Sequence, residues 1–244
     1  MRKHLSVMML AARFTIYKVL GLLMVMSGVQ VAVFLGVMSG GPEKKLNALL
    51  SDSHPEWIAM AGFIVLCIVL CGRGKGFGGT KSVYTLRRLS VSEVTVTGWW
   101  ALQNSLMYLL FWLWEALTML VLCLIYVYRA AELAFGPQTV FMAWYEVDYL
   151  HRLIPLADAS GWIRNVVQVL GLGICSAAFG YHERHRRRGM AIWFMAIVTV
   201  VGFSDLLGGG NDSDVMTTLW GLVVAGLAVG MLVYRERRLE EEEK

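Results

Sequence analysis

Apolar residues in this chain come in long runs, with little of the alternation that marks strands. Uncharged stretches cover residues 19–38 and 215–234, and residues 94–128 carry a single charge, Glu115. Shorter runs lie at 57–71, 166–181 and 190–204. A bilayer core about 30 Å thick takes roughly 20 helical residues to cross, so the three longer runs suffice as they stand. The run at 94–128 is too short for two crossings and a turn at about 1.5 Å per residue. It is predicted as one tilted helix that projects beyond the bilayer. The shorter runs reach spanning length once their flanking residues are helical too. The pattern predicts an all-α fold, a polytopic membrane helix bundle forming a single domain over 1–244. Its six transmembrane helices are expected at 19–38, 55–72, 94–128, 163–181, 190–207 and 215–234. Ahead of the first, Leu5, Met8, Met9, Ala12 and Ile16 recur at helical spacing while Arg2, Ser6 and Arg13 face elsewhere, which predicts an N-terminal interfacial helix over 1–17. The apolar run 5–12 is too short for a cleaved signal peptide, and Arg13 and Lys18 follow it closely.

Composition points the same way. Hydrophobic residues make up 57% and charged residues 16%, against roughly 45–50% and about 25% in soluble domains. Mean hydropathy is +0.58. These values exclude a soluble globule and a disordered chain, and four cysteines in apolar surroundings do not make a disulfide framework. Of the 22 Lys and Arg residues, only Lys44, Lys45, Arg129, Arg152 and Arg164 fall outside if the N-terminus is inside. The positive-inside rule therefore predicts a multi-pass protein of the cell membrane with both termini cytoplasmic. The basic cluster 182–188 reads as an anchor near anionic lipid heads. Membrane lipids are thus expected partners and nucleic acid is not.

Local chemistry marks two helix starts. Ser53 with Glu56 and Ser90 with Glu93 both fit S-x-x-E, with Pro55 inside the first of them, and each predicts a capping box. Other apparent motifs carry less. Gly74, Gly76 and Gly79 match G-x-G-x-x-G, but a dinucleotide site needs a strand before the glycines. Lys75 is followed by Gly76 rather than by Ser or Thr, so the stretch is not a Walker A loop. It reads as an inner loop whose glycines end the second span. His182-Glu183-Arg184-His185 is one residue short of H-E-x-x-H and sits among arginines. Cys67 and Cys71 lack two further metal ligands and read as packing residues. Gly202-Phe203-Ser204-Asp205 lacks the surroundings of an intramembrane serine nucleophile, with no histidine inside a span to act as base. No catalytic, cofactor-binding or metal-binding residue is expected, and the chain is not expected to be an enzyme.

Glu115 stands out because charge inside a bilayer is costly and by default suggests function. It either faces a polar pathway, together with Asn104 three turns before it on the same helix face, or holds a neighbouring helix by a hydrogen bond. Gly226 and Gly230 form G-x-x-x-G, and Gly221 with Ala225 adds a second small-residue pair, spacings that let helices approach closely. The outer segment 130–161 interleaves Phe141, Trp144, Tyr145 and Tyr149 with charged residues, and predicts an interfacial helix with its aromatics at headgroup level.

The inner segment 73–93 contains Thr80-Lys-Ser-Val-Tyr-Thr-Leu-Arg-Arg-Leu-Ser-Val-Ser-Glu93. This resembles permease subunits of ABC transporters of the type-2 exporter family, which carry a Thr-Leu-x-x-Leu-Pro-Val-Ser-like sequence between their second and third spans. Thr85, Leu86, Leu89, Val91 and Ser92 match, while Ser90 stands where the family often has proline. The larger outer element also lies between the third and fourth spans here, rather than between the last two. The resemblance implies the membrane-spanning permease subunit of an ATP-driven exporter. Its partners would be a separate cytoplasmic ABC ATPase subunit and a second permease copy or paralogue. It further implies that Val83, Tyr84, Thr85, Leu86, Arg87, Arg88, Leu89 and Ser90 form the coupling contact with the ATPase, and that hydrolysis takes place in that partner. Two other readings stay open: a non-transporting assembly or sensor protein, and a secondary transporter that uses Glu115.

Overall fold

The computed structural model describes residues 2–40, 45–72, 93–129, 137–156, 158–185, 189–204 and 211–242. Among them the chain is helical, without strands, in the order α1 (Arg2–Ser39), α2 (Leu46–Ser53), α3 (Pro55–Cys71), α4 (Glu93–Arg129), α5 (Pro137–Glu146), α6 (Asp148–Leu153), α7 (Ala159–Arg184), α8 (Ala191–Phe203) and α9 (Asn211–Glu242). The expected coupling residues 83–90 lie outside the described residues, as do the arginines at 186–188.

The architecture is a helical membrane bundle. Residues Thr15–Ser39, Glu93–Arg129, Ala159–Arg184 and Asn211–Arg235 form four helices long and apolar enough to cross a bilayer. The pair α2 and α3, bent by 42°, makes a fifth if the two count as one span. Among the described residues the count by length and composition is thus four or five, where the apolar pattern predicts six. Two elements account for the difference. Helix α3 has 17 residues, about 26 Å of rise, and α8 has 13, about 20 Å. Helix α8 stops at Phe203, short of the predicted 207, because Ser204 turns into extended backbone (φ −90°, ψ 159°). The carbonyl of Ser204 is taken by the Arg152 side chain. The 1–17 and 19–38 segments are continuous as α1, with no break between them.

The bend before α3 also overturns the first predicted capping box. Ser53 is the last residue of α2, and its hydroxyl donates to the Leu50 carbonyl (3.0 Å) instead of capping α3. His54 takes the cap position in the left-handed region (φ 43°), without a side-chain cap bond. Glu56 turns back to the His54 Nδ1 (3.1 Å), and Pro55 occupies the first turn, where its missing N–H does no harm. The second predicted box depends on Ser90, outside the described residues, while Glu93 opens α4.

Helices α4 and α7 form the central pair, with α1 and α3 against one side and α8 and α9 against the other. Their closeness follows from small residues on α7. Gly171, Gly173, Ser176, Ala177, Ala178 and Gly180 are all buried, and a Cβ on Gly173 would overlap the Ser105 hydroxyl and lie 2.6 Å from the Ser105 nitrogen and 2.8 Å from the Ala101 oxygen. Small residues let backbones meet in this way. By contrast, nothing lies within 4 Å of a Cβ built on Gly226 or Gly230, so that motif makes no close approach within the described chain. Gly221 does pack inward, against Val167 and Met195. One apolar cluster joins Leu23, Leu66, Leu70, Leu172, Cys175 and Met195. A second, around Phe34, Leu49, Leu50, Met119, Leu122 and Leu150, fills the end where α2, α5 and α6 fold over the bundle. Outward faces carry Val25, Leu117, Leu219 and Leu222, each at least half exposed, a surface suited to lipid rather than water.

Candidate functional site

The segment expected to lie flat at the interface does more than that. Phe141 and Tyr145 are exposed, but Trp144, Leu150 and Leu153 are buried, and the Tyr149 hydroxyl reaches into the bundle to donate to Oε1 of Glu115 (2.8 Å). Burial pushes the Tyr149 phenol well above its ordinary value, so it remains a donor. From α1, the Gln30 amide donates to the same oxygen (2.8 Å) and also to the Pro55 carbonyl (3.4 Å). Glu115 is 1% exposed. Its other oxygen, Oε2, has no hydrogen-bond partner, and neither does either polar atom of Gln168 on α7, which is also 1% exposed. Buried polar groups are almost always paired, and an unpaired one calls for a physical account.

Beside them lies a cavity of about 160 Å³ between α3, α4, α6, α7 and α8, which both Glu115 and Gln168 line. Trp57, Phe63, Tyr108, Phe111 and Trp112 supply aromatic wall, with Tyr149, Asn165 and Thr199 as further polar groups. Glu56 is a second carboxylate of the lining, and among the described residues no Lys, Arg or His belongs to it. Gly202 makes room for Gln168, since a Cβ there would stand 2.5 Å from the amide nitrogen.

The nearby cations are engaged elsewhere. Arg164 on α7 is buried and ion-paired with Asp214 in the first turn of α9. It also donates to the Arg152 carbonyl (2.9 Å) and to the Asn165 Oδ1 (3.1 Å). Asn165 in turn donates to the carbonyls of Arg152 (3.1 Å) and Leu153 (3.3 Å), and Arg152 donates to the last carbonyls of α8, at Gly202 and Ser204. The Asp158 side chain caps α7 by accepting from the Ser160 N–H (2.9 Å). Two guanidinium groups thus join α6, α7, α8 and α9, and the charged groups among the described lining residues of the adjoining cavity are acidic.

No protein-family model matches this chain, and no characterised protein or solved structure shows significant similarity to it.

The two pathway residues expected from sequence part company. Glu115 lines the cavity, whereas Asn104 lies in the α4–α7 interface and donates to the Ser176 hydroxyl (2.8 Å). For Glu115 the structure shows the interhelical hydrogen bond and, beside it, a place in a cavity wall. Gln30 and Gln168 are absent from the sequence reading, and Tyr149 figures in it only as an interfacial aromatic. The usable signal for the two glutamines was an uncharged amide within an apolar run, since polar groups at membrane depth need partners as charges do. Tyr149 carries no such signal. The stretch Gly202-Phe203-Ser204 acts by position, and the Ser204 hydroxyl donates to the Val201 carbonyl (3.1 Å). Cys67 accepts a long hydrogen bond from Tyr108 (3.5 Å), and no cluster of three metal-ligating side chains occurs among the described residues.

At the opposite end of α7, Arg184 lies over the Trp100 ring (4.6 Å to the centroid) and beside Tyr181 (5.9 Å). It donates to the Thr97 hydroxyl (3.4 Å) and to the Gly180 carbonyl (3.3 Å).

Proposed function

We propose that this chain is the membrane-spanning permease subunit of an ATP-driven exporter, working with a separate cytoplasmic ABC ATPase and a second permease copy or paralogue. In this reading all six apolar segments are embedded in the cell membrane, with α3 and α8 as its short members and both termini in the cytoplasm. The transport half of the reading is carried by one observation: a cavity inside a membrane bundle, walled by aromatics and holding a buried carboxyl with an oxygen unpaired. The ATPase half is supported by the Thr85-Leu86 to Ser92 resemblance. Residues 83–90 would receive the push of ATPase closure, and α4, with 37 residues and about 55 Å of rise, would carry it past Glu115.

The decisive experiment is purification of the detergent-solubilised chain from its own cells, followed by identification of co-purifying ATPases. The expected result is one ABC ATPase, lost when Leu86 and Leu89 are both replaced by Asp. Recovery without any ATPase sinks the proposal, as does full ATP-driven transport by the double variant.

A secondary transporter is the second reading, and the position of Glu115 in the cavity wall favours it. Vesicles distinguish the two. Uptake that follows an imposed proton gradient without ATP, and that is lost in Glu115→Gln, would replace the first reading with the second.

A further inference from the structure

We infer that the cavity beside Glu115 is a binding site for a small lipophilic organic cation, an ammonium group carried on an aromatic or compact apolar body. The charge of the lining gives the sign. Glu56 and Glu115 contribute to it, among the described residues Lys, Arg and His do not, and the neighbouring Arg152 and Arg164 are committed to carbonyls and to Asp214. The unpaired atoms give the chemistry. Gln30 and Tyr149 both donate to Oε1 of Glu115 and leave Oε2 without a donor. Gln168 lines the same cavity, and its amide oxygen is likewise buried without a donor. An ammonium group brings the donors that these oxygens lack, and a charge-assisted hydrogen bond is about twice as strong as a neutral one.

The walls give the body. Trp57, Phe63, Tyr108, Phe111 and Trp112 present ring surface, and ring faces attract cations most strongly where water is excluded. The volume, about 160 Å³, is close to that of an engineered apolar cavity of about 150 Å³ that accepts benzene, so a single ring with a short amine arm fits. An anionic molecule would meet two carboxylates and no cationic group of the described lining, His54 standing behind Glu56 outside it. A neutral apolar one would leave the Glu115 and Gln168 atoms unpaired, as they are without a ligand.

This assignment rests on the proposed function only in taking the cavity as the place where cargo dwells. Its test uses the purified chain alone, without ATPase or gradient, so loss of the ATPase partner would sink the permease reading and leave the binding result standing. The probe is benzylammonium, titrated calorimetrically into the chain in a non-ionic detergent, with benzyl alcohol and benzoate as matched controls and empty micelles as background. A hydrogen bond to a charged group contributes about 1.5–3 kcal/mol, so benzylammonium should bind at least about tenfold more tightly than benzyl alcohol, and benzoate should not bind. Glu115→Gln should erase the preference for the amine while leaving the weak binding of the alcohol. Equal affinity for amine and alcohol, binding of benzoate, or no binding above the micelle background overturns the assignment. An unchanged preference in a folded Glu115→Gln protein also overturns it. If that variant does not fold, the partly exposed Glu56→Gln replaces it. A severalfold loss of amine binding is then the expected result, and no loss would overturn the assignment.

Discussion

Arg164 and Arg184 sit on the same helix, about 30 Å apart along α7, and the bundle holds them by different means. Arg164 is fully buried and meets a carboxylate, a side-chain amide and a main-chain carbonyl drawn from α6, α7 and α9. Arg184 is half-buried and meets the faces of Trp100 and Tyr181, a hydroxyl and a carbonyl of its own helix. Their separation matches the thickness of a bilayer core, so each stands where α7 would leave hydrocarbon. The difference teaches that one end of α7 is fixed by ion pairing that cannot be half broken. The other end is fixed by stacking, which loosens gradually. Removing one partner of a buried ion pair strands the other charge, whereas a cation over a ring leaves only apolar surface behind.

Breaking the first end should have the largest effect. Arg164→Met leaves Asp214 buried without its cation and should cost about 3–5 kcal/mol, read as a fall in the unfolding temperature of the detergent-solubilised protein. Arg164→Met combined with Asp214→Leu should recover most of that loss, because replacing both charges by apolar groups is often neutral. Equal losses in the single and double variants would show that the pair is not the source. Next comes the contact between the two arginines. Gly173→Val puts a side chain into the α4 backbone at Ser105 and Ala101 and should cost about 1–3 kcal/mol or more, in the same assay. Arg184→Gln at the stacked end should lose only about 1–2 kcal/mol. A loss as large as that of Arg164→Met would erase the contrast between the ends.

The smallest effect concerns the α7 cap. Its hydrogen bond with Ser160 holds the Asp158 carboxyl below the ordinary aspartate value of 3.8. A lowered folded-state value means that the contribution is complete above the ordinary aspartate range and is lost as pH falls through the lower value. Asp158→Ala should therefore cost about 1 kcal/mol near neutrality. The gap in unfolding temperature between variant and parent should close in strong acid.

Much of the fold was legible where one long run makes one helix. The 94–128 run predicted α4 to within a residue at each end, Glu93–Arg129, and the 163–181 and 215–234 runs lie within α7 and α9. Legibility failed where a distant side chain decides a boundary. No local pattern says that Arg152, 52 residues away, will hold the Ser204 carbonyl where α8 ends. The site followed the same division. Glu115 was visible as a lone charge, and its register with Asn104 was correct as helix geometry. A shared face, however, does not mean a shared neighbour: Asn104, about 16 Å along the axis, meets α7 instead of the cavity. Gln30 and Tyr149 come from separate helices, and only the packing of α1 and α6 onto α4 brings their groups to one carboxyl, while Gln168 on α7 lines the same cavity without bonding to it.

Helix α6 has six residues, yet it supplies the Tyr149 hydroxyl to Glu115, the Arg152 guanidinium to the end of α8 and the Arg152 carbonyl to Arg164. These three ties run through one helix of fewer than two turns, so a displacement of its backbone strains the carboxyl, the terminus and the guanidinium at once.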